Sequence, residues 1–145
     1  MYNWFEVKVK YEKITENGFQ KKVIEPYLVD ALSHAEAEAR AVEELKPYIA
    51  GEFEIESVRR TRINEMFLNE HGDRFYKVKV AFIVLDEKSG AEKRQSVQMY
   101  SQANDIRKAI DLVDENMKKK MIDYVVTSVT ETAIMDIFLW DGTSK

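Results

Sequence analysis

The chain has 145 residues, about the size of one domain, with five Gly, two Pro, two His and no Cys. Its 22 basic and 26 acidic side chains give a formal charge of -4, and its 45% hydrophobic content is enough for one core. No two glycines lie within three residues of each other, which excludes a phosphate-cradling P-loop and a dinucleotide-binding G-x-G-x-x-G. The lack of Cys excludes disulfides, thiolate zinc sites and a Cys nucleophile.

Met1-Tyr2-Asn3-Trp4-Phe5-Glu6-Val7-Lys8 runs directly into a strand pattern with no basic segment and apolar run before it, so no signal peptide is expected. The longest apolar run, Val80 to Leu85, is far short of the roughly 20 residues that cross a bilayer. The expectation is a cytoplasmic protein of the host cell with no membrane partner. Mild net acidity argues against a broad polyanion-binding surface, but a local basic patch is compatible with it.

Phe5, Val7, Val9 and Tyr11 alternate with Glu6, Lys8, Lys10 and Glu12, the period of a half-buried strand. Asn17-Gly18 predicts a type I′ hairpin turn. The return strand runs from about Lys21 to Ala31, and Pro26 in it points to an edge position or a bulge. Ser33-His34-Ala35-Glu36 fits a capping box. Ala35, Ala39, Val42 and Leu45 then form a helical stripe closed by Pro47 and Gly51. Phe53 to Leu68 reads as one long third strand.

The second half repeats this plan. Phe75 to Leu85 is a strand, Ser89-Gly90 turns, and Lys93 to Tyr100 returns. Asn104 is the expected cap of a helix whose stripe is Ile106, Ala109, Ile110, Val113 and Met117. Tyr124 to Leu139 is the last strand, apolar on both faces. That character fits either the central strand of one sheet or a surface buried against another subunit, so a homodimer is a candidate assembly.

The match between halves extends to residue identity. Val7-Lys8-Val9 recurs as Val78-Lys79-Val80, a shift of 71 positions (78 − 7), and the same shift takes Ser57-Val58 to Ser128-Val129 and Phe67-Leu68 to Phe138-Leu139. One constant shift that aligns strands and helices together indicates a tandem duplication. The reading is a single domain, 1–145, built of repeats 3–69 and 74–140 with a tail, 141–145. A strand-helix-strand crossover returns the third strand parallel to the second, so each repeat should have the strand order 2-1-3, antiparallel throughout. The expected fold class is α+β: a duplicated strand-strand-helix-strand unit with about six mostly antiparallel strands and two helices packed on the sheet. Gly18, Gly51, Gly72, Gly90 and Gly142 all fall at chain punctuation, in turns, a helix end, the joint and the tail.

Several stretches carry a resemblance. Trp4-Phe5-Glu6-Val7-Lys8-Val9-Lys10-Tyr11-Glu12-Lys13, Glu25-Pro26-Tyr27-Leu28-Val29-Asp30-Ala31 and Glu36-Ala37-Glu38-Ala39-Arg40 are three of them. Gly51-Glu52-Phe53, Gly72-Asp73-Arg74-Phe75-Tyr76-Lys77-Val78-Lys79-Val80-Ala81-Phe82 and Ile134-Met135-Asp136-Ile137-Phe138 are the others. Over nearly the whole chain it resembles an uncharacterised domain family of gut anaerobes and their phages and mobile elements. The resemblance implies a phage or mobile-element setting and brings no catalytic residues with it.

Three chemistries remain to be weighed. Imidazole catalysis would need His34 or His71, placed in a first helical turn and in the joint, where solvated histidines are usual. His34-Ala35-Glu36 matches the H-x-E of zinc deaminases, but the P-C-x-x-C that must accompany it is missing. Glu65 and Asp136 occupy equivalent repeat positions, and a pseudo-two-fold that brought them together would make a carboxylate pair or a divalent-cation site. The plainer reading ends each strand with an acid facing water. No catalytic residue, metal or cofactor is therefore assigned.

The third chemistry is a basic-aromatic surface. If Val7 and Val9 face the core, Trp4, Lys8 and Lys10 face away, and the same parity turns Phe75, Lys77 and Lys79 outward. Arg59, Arg60 and Arg62 add charge in the third strand, and Lys118-Lys119-Lys120 ends the second helix. Rings stack on bases while cations follow phosphates, so single-stranded nucleic acid is one reading. Interspersed Glu6, Glu12, Glu54 and Glu56 weigh against it, as do Ile83 and Leu85 at outward parity. The leading expectation is a non-enzymatic binding or adaptor module acting through protein–protein contacts on a host protein. A nucleic-acid accessory in phage replication is the alternative, and a metal-dependent carboxylate-pair enzyme the second alternative.

Overall fold

A computed structural model describes residues 3–140; the expected tail 141–145, with Gly142, lies outside the described residues. The elements are β1 (Asn3–Ile14), β2 (Gln20–Ala31), α1 (His34–Leu45), β3 (Phe53–Thr61), β4 (Glu65–Phe67), β5 (Arg74–Leu85), β6 (Glu92–Ala103), α2 (Ile106–Met117), β7 (Tyr124–Glu131) and β8 (Ile137–Phe138). The class is α+β, as expected. The strand count is not: the described residues form eight strands in two four-stranded sheets, ordered β3-β1-β2-β8 and β7-β5-β6-β4.

Each sheet keeps the expected 2-1-3 antiparallel core, and each carries one helix. The extra strand explains the discrepancy. The stretch read as one strand, Phe53 to Leu68, breaks after Thr61 and resumes as β4, which runs parallel to β6 in the other sheet. The stretch Tyr124 to Leu139 breaks likewise, and β8 runs parallel to β2. The described chain divides into two compact units, residues 3–62 with 133–140, and Ile63–Thr132. Each unit thus completes its sheet with the last strand of the other repeat. β7 ends its sheet, which corrects the reading of a central last strand.

The repeat is close without being perfect. β1 maps onto β5 with a shift of 71 (74 − 3), whereas β2 onto β6 and α1 onto α2 take 72 (92 − 20 and 106 − 34). The difference arises in the hairpins. Thr15 N–H donates to the Phe19 carbonyl, enclosing three residues, and Asp86 N–H donates to the Ala91 carbonyl, enclosing four. In the first hairpin Gly18 N–H donates to the Thr15 carbonyl, and only Gly18 takes a positive φ, of 82°. Glu16 and Asn17 are therefore the turn centre and Gly18 the left-handed residue after it, a three-residue connection rather than the expected type I′ turn. Both third strands bulge at equivalent positions: Glu56 and Thr127 are skipped in the ladders to β1 and β5.

Ser33 caps α1 as expected, its hydroxyl accepting from Glu36 N–H at 3.1 Å. Asp105, not Asn104, caps α2 by accepting from Lys108 N–H at 2.8 Å, and Asn104 instead accepts from Asp73 N–H. The buried face of α1 is Ala37, Ala41 and Leu45; Leu45 is as expected, but the two alanines each lie two positions on from the expected Ala35 and Ala39, and Val42 is only half-buried. Alanines on both faces give the pattern little contrast there. In α2 Ala109, Val113 and Met117 are buried while Ile106 is exposed. Each unit has its own core, Phe5, Val7, Val9 and Val29 against α1 and Val78, Val80, Val97 and Met99 against α2. At about 1.5–3 kcal/mol per buried large apolar side chain, these helix-on-sheet layers are the main source of stability.

Candidate functional site

The expected basic-aromatic face is only partly present. Trp4, Lys8 and Lys10 lie on the face of β1 away from the core, and all three are half-buried. Arg59 stands opposite Glu6 and pairs with it at 3.8 Å. Arg60 stands opposite Phe5 and donates to Asn3 Oδ1 at 2.8 Å, so the strand divides these arginines between two faces. Arg62 is exposed just past the end of β3. In the other unit Lys79 is exposed, Lys77 half-buried and Phe75 only 4% exposed. Phe75 therefore does not offer its ring to a base. Parity was read correctly, but the outer faces are not open: Leu28, Asp30 and Tyr100, which share them, are also buried.

The carboxylates lie in different units. Glu65 is half-buried in the second, where Lys120 forms an ion pair with it. Asp136 is exposed in the first and accepts from its own neighbour's N–H, that of Ile137, at 2.8 Å. Among the described residues no group of three or more His, Cys, Asp or Glu is placed to hold a metal. His34 is exposed with its ring edge-on to Phe5 at 4.8 Å, and His71 is exposed beside Glu70. These contacts bring no nucleophile to either ring, and the one carboxylate among them, Glu70 beside His71, is itself exposed.

A different feature stands out at the hairpin end of each unit, where the helix also ends. In the first unit Ile14, Phe19 and Tyr48 are 70%, 72% and 82% exposed. Ile14 also lines an open groove of about 1030 Å³, with Tyr11, Lys22, Val42, Lys46 and Phe53. On its wall Tyr11 donates to Glu25 at 2.6 Å, and burial together with that bond pushes the phenol above its ordinary range. In the second unit Leu85 and Met121 are 67% and 95% exposed, and their chain neighbours Val84 and Ile122 are exposed too. A hollow of about 560 Å³ there is lined by Val84, Leu85, Lys88, Lys93 and Arg94. Ile14 and Leu85 are equivalent positions, 71 apart (85 − 14). Sequence reasoning did not single out Ile14 and read Leu85 as an outward-facing residue of a partly covered face, since alternation alone does not say where the covering helix stops.

A family profile described as "Domain of unknown function (DUF4494)" matches residues 3–140. The chain belongs to that family. No curated protein and no solved structure matches it. Among the described residues no helix of this DUF4494 domain is long and apolar enough to cross a membrane.

The DUF4494 domain also buries one acid that sequence reasoning passed over. Asp30 is 4% exposed, and its Oδ1 has no hydrogen-bond partner among the described residues. Burial pushes its carboxyl above the ordinary range, opposed by the Trp140 N–H and the Arg40 guanidinium. The equivalent position in the second unit holds Gln102, which accepts from Asn69 N–H and donates to the Gly72 carbonyl. The clue was available: Asp30 interrupts the apolar run Tyr27-Leu28-Val29-Asp30-Ala31.

Proposed function

We propose that this DUF4494 domain is a non-enzymatic binding module that acts through protein–protein contacts at the hairpin ends of its two units. The observation that carries the reading is the matched exposure of Ile14 and Leu85, each beside further bare apolar side chains. Large apolar groups left in water by one repeat are unremarkable singly. Left at one position by both repeats and gathered with Phe19, Tyr48 and Met121, they have the character of contact surfaces. Lys88, Arg94, Lys118 and Lys119 near the second-unit patch in sequence are exposed but interleaved with exposed Glu87, Glu92 and Asp123, and Lys93 pairs with Asp86, so the apolar side chains rather than a single sign of charge define that surface. The phage or mobile-element setting is what the sequence resemblance implies, and a host protein is the partner we propose for it.

The test compares capture by the natural chain with capture by Ile14→Asp/Phe19→Asp and Leu85→Asp/Met121→Asp, using cell lysate and mass spectrometry. The same protein should be retained by the natural chain and reduced at least about tenfold by one of the pairs, a typical effect of charging a contact centre. Identical capture by all three chains would refute the reading. Tight binding of single-stranded oligonucleotide that collapses between about 50 and 200 mM salt would replace it with the nucleic-acid one.

A further inference from the structure

We propose that the outer edge of β7 pairs antiparallel with the same edge of a second copy of the chain, about a two-fold axis between Thr127 and Ser128. β7 ends its sheet, and among the described residues no strand pairs with its outer edge. Such edges are templates for another chain and are normally guarded by charge. The other repeat supplies an internal comparison. β3, equally an edge, carries Glu54, Glu56, Arg59 and Arg60 in nine residues. β7 reads Tyr-Val-Val-Thr-Ser-Val-Thr-Glu, with no charge until Glu131.

The faces of β7 favour self-pairing in one register. Tyr124, Val126 and Val129 pack on the core of their unit, whereas Val125, Ser128 and Thr130 are exposed. Pairing about the proposed axis sets Val126 opposite Val129 of the second copy on the core side, and Val125 opposite Thr130 of the second copy on the other. Tyr124 meets Glu131 of the second copy, so the two acids stand at opposite ends. β-Branched and hydroxyl pairs of this kind favour adjacent strands. A one-residue slip would set core-facing positions against exposed ones and is disfavoured. The skipped residue Thr127 falls beside the axis, which leaves the regular halves of the strand to pair. The contact is isologous, joins two four-stranded sheets into one, and closes as a dimer.

This pairing stands apart from the hairpin-end reading, because its test reads association and not partner capture. Sedimentation equilibrium of the natural chain should show a dimer at ~100 µM, where a complex of micromolar Kd is mostly formed. Val125→Lys/Thr130→Lys sets lysines opposite each other twice and should weaken the dimer by about tenfold or more, as should Val125→Glu/Thr130→Glu. An equimolar mixture of the two variants should regain it as a mixed dimer. Both positions are exposed, and unchanged circular dichroism confirms that the variants fold. A natural chain that stays monomeric at that concentration overturns the proposal and leaves an extended segment of another protein as the edge's occupant. A dimer indifferent to both charge variants, or one that mixing fails to restore, overturns it equally.

Discussion

Met121 and Gly51 each supply a left-handed residue to the connection between helix and edge strand, Met121 in the second unit and Gly51 in the first, though not at equivalent repeat positions. The φ angles are 53° and 88°, and Met121 is the one non-glycine residue with positive φ among those described. A side chain in that region costs about 1–2 kcal/mol, and at 95% exposure this one recovers little by packing. Met121→Gly should therefore stabilise the chain by roughly 0.5–1 kcal/mol once the looser unfolded state is counted. Gly51→Met should destabilise it by a similar amount. Urea unfolding of both variants checks the pair. A strained residue that gains nothing for the fold is a reasonable place to look for function. Met121→Gly should also weaken partner capture while raising stability, a combination that a purely structural methionine would not show.

Gly72 is required for a different reason. A Cβ built there would lie 2.6 Å from backbone atoms of Ala103. Backbone cannot swing aside as a side chain can, so the joint between the repeats must shift. Gly72→Ala should cost about 1–3 kcal/mol. Gly18→Ala meets nothing within 4 Å but has φ +82, and should cost about 1 kcal/mol through backbone strain alone. Chemical denaturation of the two, side by side, separates crowding from dihedral strain.

Arg40 fastens the borrowed strand of the first unit. Its guanidinium donates to the carbonyl of Asp30 at the end of β2 and to that of Leu139 just past β8. Arg40→Ala removes both donors and should lower stability by about 1–3 kcal/mol. Arg40→Lys should recover only part of this, because a single ammonium does not span two carbonyls as a planar fork does. Hydrogen exchange localises the effect: the amides of Leu28 and Met135, bonded to Asp136 and Pro26 carbonyls, should lose protection first.

How far this fold was legible can be judged from such residues. The alternation of β1 and the Ser33 cap lay on the surface of the sequence because each is a local pattern, and the duplication did because residue identities recur at a shift of 71, although β2 and α1 follow 72. The destinations of β4 and β8 did not. Side-chain periodicity reports which face a residue turns to the core, and Met66 or Phe138 keeps its alternation whichever sheet it joins. The breaks are fixed by backbone bonds such as Asn64 N–H to the Gln98 carbonyl, which leave no trace in composition. Burial of Phe75 was hidden similarly: parity turned it away from the helix, but parity is silent on whether that second face is open. The hairpin-end surfaces depend on where each helix stops relative to its strands. Ile14 and Leu85 look in sequence like any other apolar strand residue.

Asp30 gives the protein a pH dependence of defined sign. A carboxyl whose folded pKa is raised binds protons more tightly in the native state, so stability is greatest below the unfolded value of about 4 and falls as pH rises through the folded one. Burial raises the Asp30 pKa. Asp86 acts oppositely: the Lys88 N–H and the Ser89 hydroxyl lower its pKa, so its contribution is lost on acidification. Total stability against pH mixes the two, and a difference profile isolates the first. Asp30→Asn keeps the shape and removes the buried charge, as Gln102 does in the other unit. The variant should exceed the natural chain by about 1 kcal/mol at neutral pH, and the gap should shrink toward zero near pH 4. Urea unfolding at pH steps between these limits measures the gap directly. A variant less stable at neutral pH would mean that the Trp140 N–H and the Arg40 guanidinium outweigh burial at Asp30, and a pH-independent gap would mean that folding leaves its pKa unshifted.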